Sequence, residues 1–207
     1  MNNPASSHSN PAQSRADFAL IAKWIRPGAK VLDLGCGDGT LLTQLRNSHR
    51  IRGYGVEKDD QSWLRALENG VDVIQNNLEE GLSGFEALSF DTVILSQTLQ
   101  AVLHTETIVQ EMLRVGREAI VTFPNFGYWR HRMQLIAGQM PVSKSLPYAW
   151  YNTPNIHLCT IQDFDVFCAE QGIQVMQRLV MNANREIHLM PNLRGSLAMY
   201  RLCQKSA

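Results

Sequence analysis

The segment Val31-Leu32-Asp33-Leu34-Gly35-Cys36-Gly37-Asp38-Gly39-Thr40-Leu41-Leu42 constrains this chain more than any other. Its first four residues are a short, mostly apolar run stopped by glycine, the pattern of a buried parallel strand. Glycines at 35, 37 and 39 let the backbone turn sharply and come close to a ligand, because no Cβ stands in the way. Thr40-Leu41-Leu42 then opens a helix whose first N–H groups are offered to polar or anionic ligand atoms. Strand, glycine turn and helix in this order make a nucleotide-type site at the carboxyl end of the first strand of an α/β sheet.

The spacing narrows the choice of nucleotide. A dinucleotide-binding turn reads Gly-x-Gly-x-x-Gly, and its third glycine allows close packing of helix on strand. That position is Thr40 in this chain. The pattern is instead Asp-x-Gly-x-Gly-x-Gly, with Asp33 at the strand end. S-adenosylmethionine (SAM) has no pyrophosphate to cradle. It carries a carboxylate, an ammonium, a sulfonium and an adenosine, and an acidic residue before the turn serves the cationic end. The segment is similar to motif I of the class I SAM-dependent methyltransferases, and the resemblance gives Asp33, Gly35, Cys36, Gly37 and Gly39 as cofactor-binding residues. Cys36 inside the turn reads as a packing residue and not as a nucleophile.

The chain downstream fits the same plan. Arg52 to Val56 is a short second strand ending at Glu57 and Lys58, with Glu57 18 residues after Gly39. A carboxylate there accepts hydrogen bonds from both ribose hydroxyls. A third strand at 71–75 leads to Asn77, where class I methyltransferases often place an Asp on the adenine amino group. The Asn77 amide oxygen accepts the same bond without charge, and Leu78 lies along the adenine face. Phe90 to Leu95 is a clear later strand whose end, Ser96-Gln97-Thr98-Leu99-Gln100, faces the sulfonium end of the cofactor, and Ala119 to Phe123 is a fifth, almost wholly apolar strand broken by Pro124-Asn125. Helical spacing predicts helices before the glycine turn (Phe18, Ile21, Ile25), over 61–70, over 105–115 and after Thr160. Late strands at 173–181 and 197–202, with no helix between them, predict an antiparallel pair. The expected architecture is a Rossmann-like sheet of seven strands, mostly parallel with an antiparallel last strand, and helices on both faces.

At 207 residues the chain makes one domain over 15–207 with a substantial core. Residues 1–14, rich in Asn, Ser, Pro and Gln, read as a disordered tail. Lysine plus arginine equals aspartate plus glutamate, which argues against a nucleic-acid partner. No apolar run approaches the ~20 residues of a membrane helix, no signal peptide precedes the domain, and the four cysteines form no CxxC pair. A cytoplasmic protein with free thiols, no membrane role and no metal site is expected. Residues 125–158 are the least regular stretch, a lid or partner-binding segment holding Phe126, Tyr128, Trp129, Tyr148, Trp150 and Tyr151 beside Arg130, His131, Arg132 and Lys144.

Val31–Leu42, Ser96–Gln100, Phe123-Pro-Asn-Phe-Gly-Tyr-Trp129 and Leu146-Pro-Tyr-Ala-Trp-Tyr-Asn-Thr-Pro-Asn-Ile-His157 together resemble the MetW family of methionine biosynthesis proteins, over roughly residues 16–203. One departure is Asn76-Asn77, where the family pattern has Gly-Asp. The resemblance implies SAM or S-adenosylhomocysteine as ligand and the homoserine O-acyltransferase MetX as partner, with an accessory or regulatory role. The alternative is a SAM-dependent methyltransferase acting on a small metabolite. Methyl transfer from a sulfonium is an in-line displacement that needs alignment and dryness more than a general base. Asn125 and His157 are the candidates for positioning an acceptor.

Overall fold

The computed structural model describes residues 16–205, so the tail expected at 1–14 lies outside the described residues. In chain order the elements are α1 (Ala16–Trp24), β1 (Lys30–Leu34), α2 (Thr40–His49), β2 (Arg52–Glu57), α3 (Asp60–Glu68), β3 (Asp72–Gln75), β4 (Phe90–Ser96), α4 (Thr105–Val115), β5 (Gly116–Pro124), α5 (Trp129–Ile136), α6 (Ile161–Glu170), β6 (Ile173–Asn182), β7 (Arg185–Glu186), α7 (Pro191–Arg194) and β8 (Leu197–Gln204).

The strands form one sheet in the order β3-β2-β1-β4-β5-β8-β6-β7. The first five are parallel to one another, and β8 runs antiparallel to both β5 and β6. The expected pair at the chain's end is therefore present. Two details differ from the sequence reading. The sheet has eight strands, because Ala183 turns the chain at φ 52° and Arg185 and Glu186 pair back on Asn182 and Met181. A single turn of helix, α7, lies in the connection expected to hold no helix, its φ pre-set by Pro191 at the first position.

Side-chain alternation along the buried strands splits the core into two layers. Leu32, Leu34, Val93, Leu95, Val121 and Phe123 point to one face, where they meet Ile108, Val109 and Met112 of α4 and Phe164 of α6. Val31, Ile94 and Ile120 point to the other, against Phe18, Ile21 and Trp24 of α1 and Leu41, Leu42 and Leu45 of α2. Two of the helix ends follow sequence rules closely. Thr160 and Asp163 form a reciprocal capping box at the start of α6, and Asn69-Gly70 closes α3 with Gly70 at φ 70°.

The chain order reverses between β1 and β4. From β1 the sheet grows toward β3 in one direction and from β4 toward β5 in the other. The loops after these two strands diverge, and the crevice they leave at the carboxyl ends is where open α/β sheets bind ligands.

Candidate functional site

The glycine turn lies on one wall of that crevice. Gly35, Gly37 and Gly39 all have left-handed φ, at 70°, 58° and 75°. Gly35 also has no room for a side chain, since a Cβ there would sit 2.9 Å from the Thr98 side chain. The turn is pinned to β2 by Gly35 and Cys36, whose N–H groups both donate to the Val56 carbonyl, at 2.8 and 3.1 Å. Cys36 packs its sulfur over Gly55, where a Cβ would stand only 2.5 Å from it. Burial, reinforced by Asp33 and Glu57 nearby, pushes the Cys36 thiol well up, so it stays protonated and packs as an apolar group.

Glu57, at the end of β2, is held by three backbone donors. Its Oε1 accepts from the N–H groups of Lys58 and Asp59, at 2.8 and 2.9 Å, and its Oε2 accepts from Gly37 N–H at 2.8 Å. A carboxylate has about four acceptor positions, so this one is oriented yet keeps capacity for a hydroxyl. Gly35, Val56, Glu57, Lys58, Asn77 and Leu78 line a cavity of about 150 Å³ that Thr98, Ala101 and Val102 close from the β4 side. Its wall combines the apolar side chains of Val56, Leu78, Ala101 and Val102 with the polar ones of Glu57, Lys58, Asn76, Asn77 and Glu79. Asn77, on the cavity wall, uses the Oδ1 expected to meet adenine to cap the following turn through Glu79 N–H at 3.2 Å.

The charge around the turn sorts nucleotides. Asp38 accepts from both the N–H and the hydroxyl of Thr40, at 3.0 and 2.6 Å, so a carboxylate of the chain already sits at the start of α2. A dinucleotide pyrophosphate would need that place. Asp17 and Asp33 are 2% and 3% exposed and lie on the β1 and β4 side of the crevice. Glu57 lines the cavity itself, and with Asp38 on the glycine turn the acidic side chains suit a ligand with an ammonium and a sulfonium, so the residues present fit SAM.

The remaining sequence candidates fall in three different places. Ser96 is buried, and its hydroxyl bonds to Asp17 Oδ2 and Thr122 Oγ1, both at 3.2 Å. It belongs to a network that fastens α1 over the end of β4, together with Gln97, which donates to Asp17 at 2.8 Å from a left-handed backbone at φ 52°. Asn125 was expected to position an acceptor. Its side chain is 0% exposed and fully engaged within the chain: Nδ2 donates to the carbonyls of Asn192 and Gly195 at 2.9 and 2.8 Å, while Oδ1 accepts from the N–H groups of Gly127 and Ile161 at 3.0 and 3.3 Å. It clamps three loops together and offers nothing to a ligand. His157 is exposed, donates from Nε2 to the Leu103 carbonyl at 3.0 Å, and lines a second cavity of about 470 Å³ with Leu99, Leu103, Phe123 and Phe164.

The two cavities share a partition. Leu99–Ala101 forms a 3-10 turn, with Thr98, Ala101 and Val102 on the smaller cavity and Leu99, Gln100 and Leu103 on the larger. The Gln100 carbonyl accepts from Ile156 and His157 N–H at 2.7 and 3.0 Å, which ties the aromatic 125–158 segment to that partition.

Sequence reasoning missed Asp17, and it placed His131 only among the basic side chains of the 125–158 segment. Asp17 sits four residues before Ile21 on the buried side of α1, a readable sign of a buried acid. His131 has 0% exposure and bridges the Asn125 carbonyl and Ser143 Oγ, at 3.2 and 2.9 Å. Burial holds its imidazole below the ordinary value. Among the described residues no helix is long and apolar enough to cross a membrane.

This is the fold of the SAM-dependent methyltransferases. One from Thermotoga maritima superposes with a TM-score of 0.65 at 19% identity, over 92% of this chain and 88% of that one. The magnesium protoporphyrin IX methyltransferase of Synechocystis PCC 6803, solved with S-adenosylhomocysteine bound, gives 0.64 at 15%, over 91% and 82%. At such identities the likeness is one of fold. Within that fold the chain belongs to the family of methionine biosynthesis protein MetW, whose model matches residues 15–202. A bifunctional methionine biosynthesis protein MetXA/MetW of Rhodopirellula baltica is 36% identical over 186 residues. That match takes in 85% of this chain and 30% of the relative, so this chain spans under a third of the relative's length.

Proposed function

We propose that the chain is a SAM-binding accessory protein of methionine biosynthesis that acts with the homoserine O-acyltransferase MetX in the cytoplasm. The observation that carries the reading is the relative in which MetXA and MetW share one polypeptide. Fusion holds two modules at high effective concentration, an arrangement that suits parts acting on each other.

SAM as the ligand is supported by the carboxylate of Glu57 fixed beside the glycine turn, the cavity reaching Asn77 and Leu78, and the Asp38 carboxylate at the start of α2, which disfavours a pyrophosphate. SAM is made from methionine, so a SAM-binding partner reports the output of the pathway to an early enzyme. Such control requires SAM to bind the free and partnered states with different affinity. The test is the acyl-transfer rate of MetX measured alone, with this chain, and with this chain plus SAM. The rate changes on adding the chain, and changes again with SAM. A MetX rate indifferent to both overturns the reading.

A second reading is favoured by one feature, the 470 Å³ cavity that adjoins the nucleoside slot across the Leu99–Ala101 turn. In a methyltransferase that cavity takes the acceptor, with His157 on its wall. Conversion of SAM to S-adenosylhomocysteine in the presence of a metabolite extract distinguishes this reading, since an accessory protein leaves SAM intact.

A further inference from the structure

We infer that α5 and the chain following it to residue 158 are the docking face for the acyltransferase, and that the matching patch on the acyltransferase is apolar with an acidic rim. The inference rests on the accessory reading above.

α5 is oriented against the usual rule. A helix on a domain surface turns its apolar stripe inward and its polar side to water. In α5 the buried residue is His131, anchored through both ring nitrogens, while Trp129, Met133 and Ile136 lie on the opposite stripe and are 44%, 54% and 78% exposed. The next loop extends the apolar surface with Met140 and Val142, both about half exposed, and Gln134 fastens it to the helix by donating to the Val142 carbonyl at 3.1 Å. Trp150 and Tyr151 stand out further, each 74% exposed, with their rings edge to face at 5.8 Å. Exposed apolar side chains gathered on one segment in this number mark an interaction site, and Trp, Tyr and Arg are the side chains that most often anchor one.

Charge selects the partner. Between Glu118 and Asp163 the sequence has no acidic residue, although the chain as a whole is neutral. Arg130, Arg132 and Lys144 are exposed within that stretch, and the Arg130 guanidinium stacks over the Trp129 ring at 5.5 Å. A second copy of the chain is a poor occupant. A two-fold contact sets each patch against itself, which opposes cation to cation, and the stretch itself supplies no carboxylate to offset them. A nucleic acid is a poor occupant too, because few cations and much apolar surface do not suit a phosphate backbone. An apolar surface rimmed by Asp and Glu satisfies both features.

The experiment is equilibrium binding of the full chain to purified MetX, at low and high salt, with circular dichroism to confirm folding of each variant. Ile136→Glu and Arg130→Glu both lie at exposed positions, and each weakens binding by about tenfold or more, the loss expected for an anchor residue. Leu64→Glu, at a 52% exposed position on α3, leaves binding as in the wild type. Raising salt weakens the wild-type complex. If the wild type binds and both face variants bind equally well, the docking face is elsewhere and the accessory reading stands. Failure of the wild type itself to bind removes the accessory reading and this inference with it. Should Ile136→Glu dissolve a self-dimer while leaving MetX binding intact, the occupant is a second copy and the inference is overturned.

Discussion

Glu57 accepts a hydrogen bond from Gly37 N–H at 2.8 Å, so the end of β2 is joined to the middle of the glycine turn across the mouth of the crevice. The bond links two parts of the site that are 20 residues apart in sequence. It orients the carboxylate before any ligand arrives, and preorganisation of this kind lowers the entropy lost on binding. Glu57→Gln replaces one acceptor oxygen by a donor that opposes an N–H group. SAM affinity is expected to fall by about tenfold, measured by calorimetry, with the fold retained by circular dichroism.

Gly35→Ala tests the close approach at the turn. The new Cβ meets Thr98 at 2.9 Å on a backbone at φ 70°. A destabilisation of about 1–3 kcal/mol is expected from the left-handed backbone and the clash, together with loss of SAM binding. Urea unfolding reads the first and calorimetry the second. A variant as stable as the wild type would show that the turn is not under this constraint.

Asn125→Ala separates structure from catalysis. Removing the amide strands the carbonyls of Asn192 and Gly195 and the N–H of Gly127 in a fully buried site, while Ile161 N–H keeps Asn192 Oδ1 at 3.2 Å. Each stranded group costs about 1–3 kcal/mol, so the melting temperature drops steeply. SAM affinity of the folded fraction stays at the wild-type level. A stable Asn125→Ala protein that has lost activity would instead return Asn125 to the acceptor site.

His131 sets a pH dependence whose sign follows from its burial. The folded protein holds the imidazole below its ordinary value of 6.5, so between the two values the unfolded chain binds more protons. Stability is therefore complete above about pH 6.5 and is lost as the pH falls through the depressed value, at no more than about 1.4 kcal/mol per pH unit. Chemical denaturation at pH 7, 6 and 5 measures the slope. His131→Gln flattens it over that range, at lower overall stability.

Thiol reactivity checks the packing of the turn. Burial raises Cys36 strongly and pushes Cys159 and Cys168 up to about 12. Thiolate is the reactive form, so iodoacetamide at pH 8 leaves these three unlabelled in the native protein and labels them after unfolding. Rapid native labelling of Cys36 would mean that the turn opens.

The sheet was legible because its cues are local. Apolar runs such as Val31–Leu34 and Ala119–Phe123, broken by glycine or Pro124, report burial on both faces, and Thr160 to Asp163 announces a helix by capping chemistry alone. The glycine turn and Glu57 were legible for the same reason, since their spacing is set by one βαβ unit. Ser96 and Asn125 were harder. A polar residue at a strand end faces either a ligand or a neighbouring loop, and only the packing of α1 on β4, and of α7 on the 125–127 loop, decides which. His131 carried no signal of its burial, because α5 inverts the pattern by which a buried helix face is read. β7 was invisible at two residues, being made by the turn at Ala183 and not by any propensity of Arg185 and Glu186.

Everything turns on whether the crevice holds a sulfonium nucleoside. Isothermal titration of SAM and S-adenosylhomocysteine into the purified chain, beside Glu57→Ala, decides it. One-site binding to the wild type, weakened about tenfold or more in Glu57→Ala, is the expected result. No heat of binding for either ligand, with the wild type and the variant behaving alike, would contradict it.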